Sequence, residues 1–320
     1  MSHSDSPESS RRIKISVAIC TWNRSRLLRR TLERFCNINV DDRFEWELIL
    51  VDNNSSDDTQ QVINAFTETL PIVSLIETVQ GHSASRNRAI EAASGDYIVW
   101  TDNDVLVDSD WLTSYCDAFI AEPDVAFFGG AIEPWFEPPG CPDWIEATWD
   151  KCKSVYAARD LGEQPIELNE NRLPYGANFA IRADVQRQYR FDPTLGRVRS
   201  GMIGEDETQV LKRITRGGGK GRWVPDAKVQ HIIPADRASE RYVQSYFVGQ
   251  GQANAMFGKP SRQRMAAFVD AAFHSLLYRS KRHRTQPDEW VSHLIRSSIS
   301  WGEFKMHSSK LTATLRSPRR

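Results

Sequence analysis

Residues 97–104 read Tyr-Ile-Val-Trp-Thr-Asp-Asn-Asp. Tyr97, Ile98, Val99 and Trp100 suit a buried strand, and that strand delivers two carboxylates, Asp102 and Asp104, to its C-terminal end. In open α/β sheets, ligands collect at the C-terminal ends of the strands. Mg²⁺ there is typically held by one or two carboxylates together with substrate phosphates. The pair is therefore expected to face a metal–diphosphate. The tripeptide alone reads more readily as a solvated turn after a strand, and it is the surrounding chain that reverses that reading.

Working back toward the N-terminus, the segments before this strand alternate between two periodicities. Residues 13–22 (IKISVAICTW) are β-rich, and Leu27, Leu28, Leu32 and Phe35 follow at helical spacing through 25–36. A second strand over about 46–51 ends in the polar loop Asp52-Asn53-Asn54-Ser55-Ser56, with a helix starting near Asp57 and Asp58. A third strand at 72–76 leads through Gly81 to a helix over 83–93. This alternation predicts an α/β fold: a Rossmann-like, mostly parallel sheet flanked by helices, with right-handed crossovers.

Working forward, a helix is expected over 109–121, a strand over 125–134 and an irregular, proline-rich excursion over 134–174. That excursion carries Trp135, Trp144 and Trp149, which could stack on sugar rings or pack a loop onto the sheet. Further elements follow as a strand at 176–181, a helix over 205–216, an extended run at 221–233 and a helix over 238–257. The expected organisation is a disordered 1–12, a domain over 13–258 and a basic helical extension over 259–320. The domain divides into a nucleotide-binding half (13–108) and an acceptor half (109–258).

Composition narrows the class. The 320 residues carry 40% hydrophobic and 26% charged residues with a net charge of −1, as an ordinary globular chain does. Five cysteines without CxxC spacing fit a reducing, cytoplasmic setting. No apolar leader and no bilayer-spanning stretch is visible. The last 62 residues hold 13 Lys/Arg against 4 Asp/Glu. Such a tail, with an amphipathic stretch near 266–279, fits either a solvated appendage or peripheral docking on an anionic membrane surface at the inner face of the cell membrane. The basic excess lacks a readout motif, so no nucleic acid partner is expected. Neither GxGxxG nor GxxxxGK[ST] occurs after any of these strands, which counts against dinucleotide and P-loop sites. A nucleotidyltransferase is disfavoured because the first strand is followed by TWNRSR, without the glycine-rich phosphate loop.

Three strand ends thus carry polar groups where a nucleotide would lie, and Arg86 with Asn87 enters from the helix after Gly81. Arg86 could pair with phosphate or be a surface helix arginine. The ordered segments SVAICTWNRSRLLRRTLERF, LILVDNNSSDDT, GHSASRNRAIEAASGDYIVWTDNDVLVDSDWL, GGAIEPWF, YGANFAIRADV and GEDETQVLKRI resemble the family 2 glycosyltransferases. These have the nucleotide-diphospho-sugar (GT-A) fold, and the resemblance covers roughly residues 13–255. It implies an inverting transferase that moves a sugar from a nucleotide-diphospho-sugar donor to a saccharide, lipid-linked or other hydroxyl acceptor. By position, Thr21, Asn23 and Asp52 would contact the nucleotide with Arg86 nearby. Asp102 would contact the ribose or metal, and Asp104 would ligate Mn²⁺ or Mg²⁺. Asn178 would face the donor sugar or acceptor.

The same resemblance makes Asp206 the general base that deprotonates the acceptor, with Glu205 assisting in the acceptor pocket and Glu207 solvated. His231 is a further metal ligand or phosphate contact, or else a hydrogen-bonded histidine at a strand end. A non-catalytic scaffold that keeps the fold is the alternative of a different class, and the two intact acidic motifs speak against it.

Overall fold

The computed structural model describes residues 12–193, 195, 206–257 and 264–316, with side chains described as far as 306. The first half lays down β1 (Ile13–Thr21), α1 (Ser25–Phe35), β2 (Phe44–Asp52), α2 (Thr59–Asn64), β3 (Ile72–Ile76), α3 (His82–Ala92) and β4 (Tyr97–Asp102). β3, β2, β1 and β4 lie side by side in that order, all parallel. The decisive strand is therefore an inner one, and it runs two residues further than its apolar core, so Asp102 belongs to it.

Side chains alternate across the sheet as the pleat requires. Ile15, Val17 and Ile19 of β1 and Tyr97 and Val99 of β4 enter a core with Leu28, Leu32 and Phe35 of α1. Ala18, Ile98 and Trp100 point the other way, into a core shared with Ala89 and Ile90 of α3. Burial on both faces explains why these strands read as continuous apolar runs.

The second half makes the sheet mixed. It comprises β5 (Val105–Val107), α4 (Trp111–Ala121), β6 (Phe127–Phe136), α5 (Asp143–Glu146), α6 (Trp149–Cys152), a 3₁₀ turn (Lys153–Tyr156) and β7 (Glu167–Leu168). β8 (Asn178–Arg182), α7 (Ala183–Gln188), α8 (Asp206–Arg216), β9 (Gly221–Ile233) and α9 (Glu240–Phe257) follow. β8 joins β4 antiparallel, β6 follows β8 antiparallel, and β9 pairs parallel with β6 and antiparallel with the short β5. The expected α/β class with a mostly parallel sheet is borne out.

The excursion over 134–174 is more regular than expected. It holds α5, α6 and the 3₁₀ turn, which form a third core with Val243 and Phe247 of α9 and with Trp290, Val291 and Leu294. Those last residues belong to α11 (Pro287–Arg316), which follows α10 (Arg264–Lys281). The basic C-terminal segment thus shares a core with the excursion. Trp144 packs on Trp290 with ring centroids 5.4 Å apart, Trp149 stacks on Tyr156, and Trp135 lies beneath Arg30. Trp144 and Trp149 pack against the third core, while Trp135 stays 36% exposed beside its arginine. Among the described residues no helix is long and apolar enough to cross a membrane.

Candidate active site

A cleft of about 820 Å³ opens at the C-terminal ends of β1 and β4. Its floor includes Thr21, Asp102, Asn103 and Asp104; its far wall includes Tyr175, Gly176 and Asp206; and Tyr242 and Tyr246 of α9 contribute along one side.

Asp104 sits just past β4 and is 5% exposed. The β5–β9 pairing holds it in place: Val105 is in register with His231, and the Ile232 amide donates to the Asp104 carbonyl at 2.8 Å. This short strand, which the sequence did not announce, brings residues 127 positions apart together. Arg237 Nη1 donates to Asp104 Oδ2 at 3.0 Å, and His231 Nε2 lies 3.5 Å from Oδ1. Burial works to raise the Asp104 carboxyl. His231 first, then Arg237 and Arg24, overcome it and hold the group well below the usual carboxylate range. Conversely, burial works to lower the His231 imidazole, but Asp104 draws its pKa above the ordinary value. His231 Nδ1 faces the Tyr156 carbonyl at 2.9 Å, so it must carry the hydrogen. Nε2 is then the nitrogen whose proton faces Asp104, and the one exposed as a lone pair once that proton is lost.

The middle residue of the triplet is a strut. Asn103 Nδ2 donates to Thr21 Oγ1 at 2.9 Å, tying the acidic turn to the end of β1. Asn23 and Asp52 have comparable roles. Asn23, in the left-handed region at φ 50°, accepts the Ser56 amide at 2.7 Å, and Asp52 accepts the Ser55 amide at 3.0 Å. Together they shape the loop after β2, while Trp22, Arg24 and Asn53 line the cleft.

Arg86 is neither a surface residue nor an open phosphate contact. Its side chain is 3% exposed, and its guanidinium lies 5.0 Å from the Phe191 ring centroid and within 6 Å of Phe179 and Trp100. It donates to Asp206 Oδ2 at 3.0 Å and reaches Glu207 at 3.5 Å. His82 Nδ1 stands 3.2 Å from the same Asp206 oxygen. Burial works to raise the Asp206 carboxyl, but Arg86 and then His82 hold it well below its ordinary value. Burial and the neighbouring Asp206 charge push Glu207 up to about 8. The two carboxyls therefore divide the labour: one ionised, one protonated, against a shared arginine. Glu207 is largely enclosed rather than solvated, with a side chain 19% exposed. Gly176 permits the close approach, since a Cβ there would lie 3.0 Å from Arg86 Nη2.

Asn178 is not brought to the cleft. It is fully buried, and its amide is saturated: Oδ1 accepts from Trp111 Nε1 (2.9 Å) and the Tyr115 hydroxyl (2.8 Å). Nδ2 donates to the carbonyls of Ala131 and Ala227. Glu205 lies outside the described residues. Sequence reasoning missed His82, Arg237, Tyr242 and Tyr246. Arg24, at least, stood within the quoted TWNRSR loop.

Residues 16–137 match the model of the family described as glycosyl transferase family 2. This segment belongs to glycosyl transferase family 2. The family assignment bears out the glycosyltransferase expected from the ordered motifs. Relatives with 22–24% identity span most of both chains. One is the succinoglycan biosynthesis protein ExoM of Rhizobium meliloti (22% over 76% of this chain and 74% of the relative). Another is a glucosyl-dolichyl phosphate glucuronosyltransferase of Haloferax volcanii (24% over 69% and 70%). Among solved structures, a Pyrobaculum calidifontis mannosyltransferase in complex with GDP-Man and Mn²⁺ superposes with a TM-score of 0.54. It is 17% identical, and the match covers 98% of this chain and 79% of that one. S. aureus TarS 1-349 in complex with UDP-GlcNAc gives 0.53 at 14% identity, covering 96% and 93%. At these identities the structural matches establish the fold.

Proposed function

We propose that this family 2 glycosyltransferase transfers a sugar from a nucleotide-diphospho-sugar to an acceptor hydroxyl with inversion, in a metal-dependent reaction. The observation that carries the reading is the pair of acidic centres in one cleft. One couples Asp104 with His231, and the other couples Asp206 with Arg86.

The residues at the first centre fit a divalent cation. Asp102 and Asp104 supply oxygen donors, and the Nδ1–H bond to Tyr156 leaves His231 Nε2 free to ligate, the usual arrangement for a metal-binding histidine. Among the described residues no group of three such side chains is preassembled. That accords with a cation completing its shell on donor phosphates, as Mg²⁺ commonly does. When bound, Mn²⁺ or Mg²⁺ would supply Lewis-acid stabilisation of the departing diphosphate. The Mn²⁺ complex of the Pyrobaculum mannosyltransferase supports this choice of cofactor.

At the second centre Asp206 is kept ionised, so it can take the acceptor proton as the hydroxyl oxygen attacks the anomeric carbon. The bond to the diphosphate oxygen breaks in the same displacement, and its electron pair leaves with the nucleoside diphosphate. A depressed pKa makes Asp206 a weak base toward a resting alcohol, but the hydroxyl becomes far more acidic as its C–O bond forms. Arg86 orients the carboxylate, and protonated Glu207 keeps a second negative charge away from it. Thr21 and Trp22 line the cleft where the nucleoside would lie, while Asn53, whose amide is taken up by the backbone of Glu77, Val79 and Gly81, shapes the loop beneath with Asn23 and Asp52. The nucleotide half is 13–108 and the acceptor half 109–258. The biosynthetic relatives favour a saccharide or lipid-linked acceptor.

Thermal shift with a panel of nucleotide-sugars, with Mn²⁺ and with chelator, tests the reading. A Mn²⁺-dependent shift with one donor is expected. No shift with any donor in a folded, metal-replete protein would count against it.

A further inference from the structure

α10 presents its apolar side chains to the outside. Its inward stripe, Ala267, Ala271 and His274, is small or polar and lies against α11. Its bulky residues face away: Met265 is 72% exposed, Leu276 65%, Val269 58% and Phe273 56%. A helix on a globular protein ordinarily turns such residues to the core. Positions 265, 269, 273 and 276 recur at three- and four-residue intervals, so they form one continuous stripe. Phe268 flanks it, leaning on Trp301 and Phe304.

The charge around the stripe is one-sided. Asp270, the single acidic residue of α10, turns toward α11, where it accepts from the Ser300 hydroxyl at 2.7 Å and pairs with Arg296. Arg264 starts the helix, and Arg279, Arg282 and Arg284 stand exposed at and beyond its other end. Lys259 and Arg262 precede it in sequence. Both ends are basic, so two copies pairing through this stripe, in either direction, would bring like charges together.

An apolar stripe ended by arginines, with its one neighbouring acid, Asp270, engaged by Arg296 and Ser300, matches the interface of a bilayer that contains anionic lipid, where a helix lies flat with its apolar face just below the headgroups. We propose that α10 is a membrane-docking surface that seats the protein on anionic bilayers through Met265, Val269, Phe273 and Leu276, with Arg279 and Arg284 on the headgroups. The proposal stands apart from the transferase chemistry, since none of these residues lines the cleft.

Flotation of the full chain with phosphatidylcholine vesicles, with and without about 30% phosphatidylglycerol, tests it. Wild type should float with the anionic vesicles and lose binding as salt is raised. The combined Met265→Ser, Val269→Ser, Phe273→Ser and Leu276→Ser variant should lose at least about tenfold in binding. Because those side chains are exposed, it should keep its circular dichroism and Tm. Arg279→Glu with Arg284→Glu should lose about tenfold or more on anionic vesicles alone. A wild-type chain that fails to float, that floats no better than both variants, or that self-associates through the stripe in place of floating overturns the proposal.

Discussion

Arg237 donates to Asp104 at 3.0 Å, so the carboxylate proposed to hold the metal already carries a protein cation on one oxygen. Two positive groups then compete for one site. Once a diphosphate enters, the same guanidinium is free to pair with it, with Arg24 close by in the same cleft.

Removing that competitor should therefore act with opposite sign on metal and donor. Arg237→Gln is expected to bind Mn²⁺ alone about tenfold more tightly, and the nucleotide-sugar in saturating Mn²⁺ about tenfold more weakly. Isothermal titration of each ligand separates the two effects. Parallel weakening of both would show that Arg237 only supports the local structure.

Glu207 makes a pH-dependent contribution to stability. Its carboxyl is pushed up to about 8 in the folded protein, against an ordinary value of 4.5. A group whose pKa is raised by folding contributes stability that is full below the unfolded value and is lost as pH climbs through the folded one. Glu207→Gln, which keeps the shape without the titration, should thus melt close to wild type near about pH 4.5 and above it near about pH 9. Melting curves across this window decide it, and a constant difference at all pH would contradict the protonated assignment.

Asn178 tests the distinction between scaffold and site. Asn178→Ala would strand Trp111 Nε1, the Tyr115 hydroxyl and two carbonyls in the core, at a cost of about 3 kcal/mol or more. Urea unfolding should show that loss, while donor affinity of the folded fraction stays unchanged. A selective loss of donor affinity with normal stability would return Asn178 to the binding site.

These contrasts show what the sequence could carry. β1, β2 and β4 were legible because strands buried on both faces leave continuous apolar runs, and because the crossover helix α1 keeps a 3.6-residue period. Asp102, Asp104 and Asp206 were legible as carboxylates at the ends of such elements. The side chains that set their charge were not. Arg237 reaches Asp104 from 133 positions away, through the loop after β9, and His82 reaches Asp206 across 124 positions; local pattern encodes neither approach. Asn178 misled for a related reason. The run Tyr-Gly-Ala-Asn reaches the cleft only through Tyr175, Gly176 and Ala177, while Asn178, the first residue of β8, is drawn into the core by Trp111 and Tyr115.

The most direct test of the account is Asp206→Asn, measured for sugar transfer and for donor affinity on the same preparation. The amide preserves size and keeps an oxygen for Arg86, but it can no longer accept the proton. Transfer should fall by about 10³-fold, within the range for loss of a general base, while nucleotide-sugar affinity in Mn²⁺ stays within about twofold of wild type. Transfer near the wild-type rate, or a loss of donor affinity as large as the loss of transfer, would contradict the assignment of Asp206 as the base.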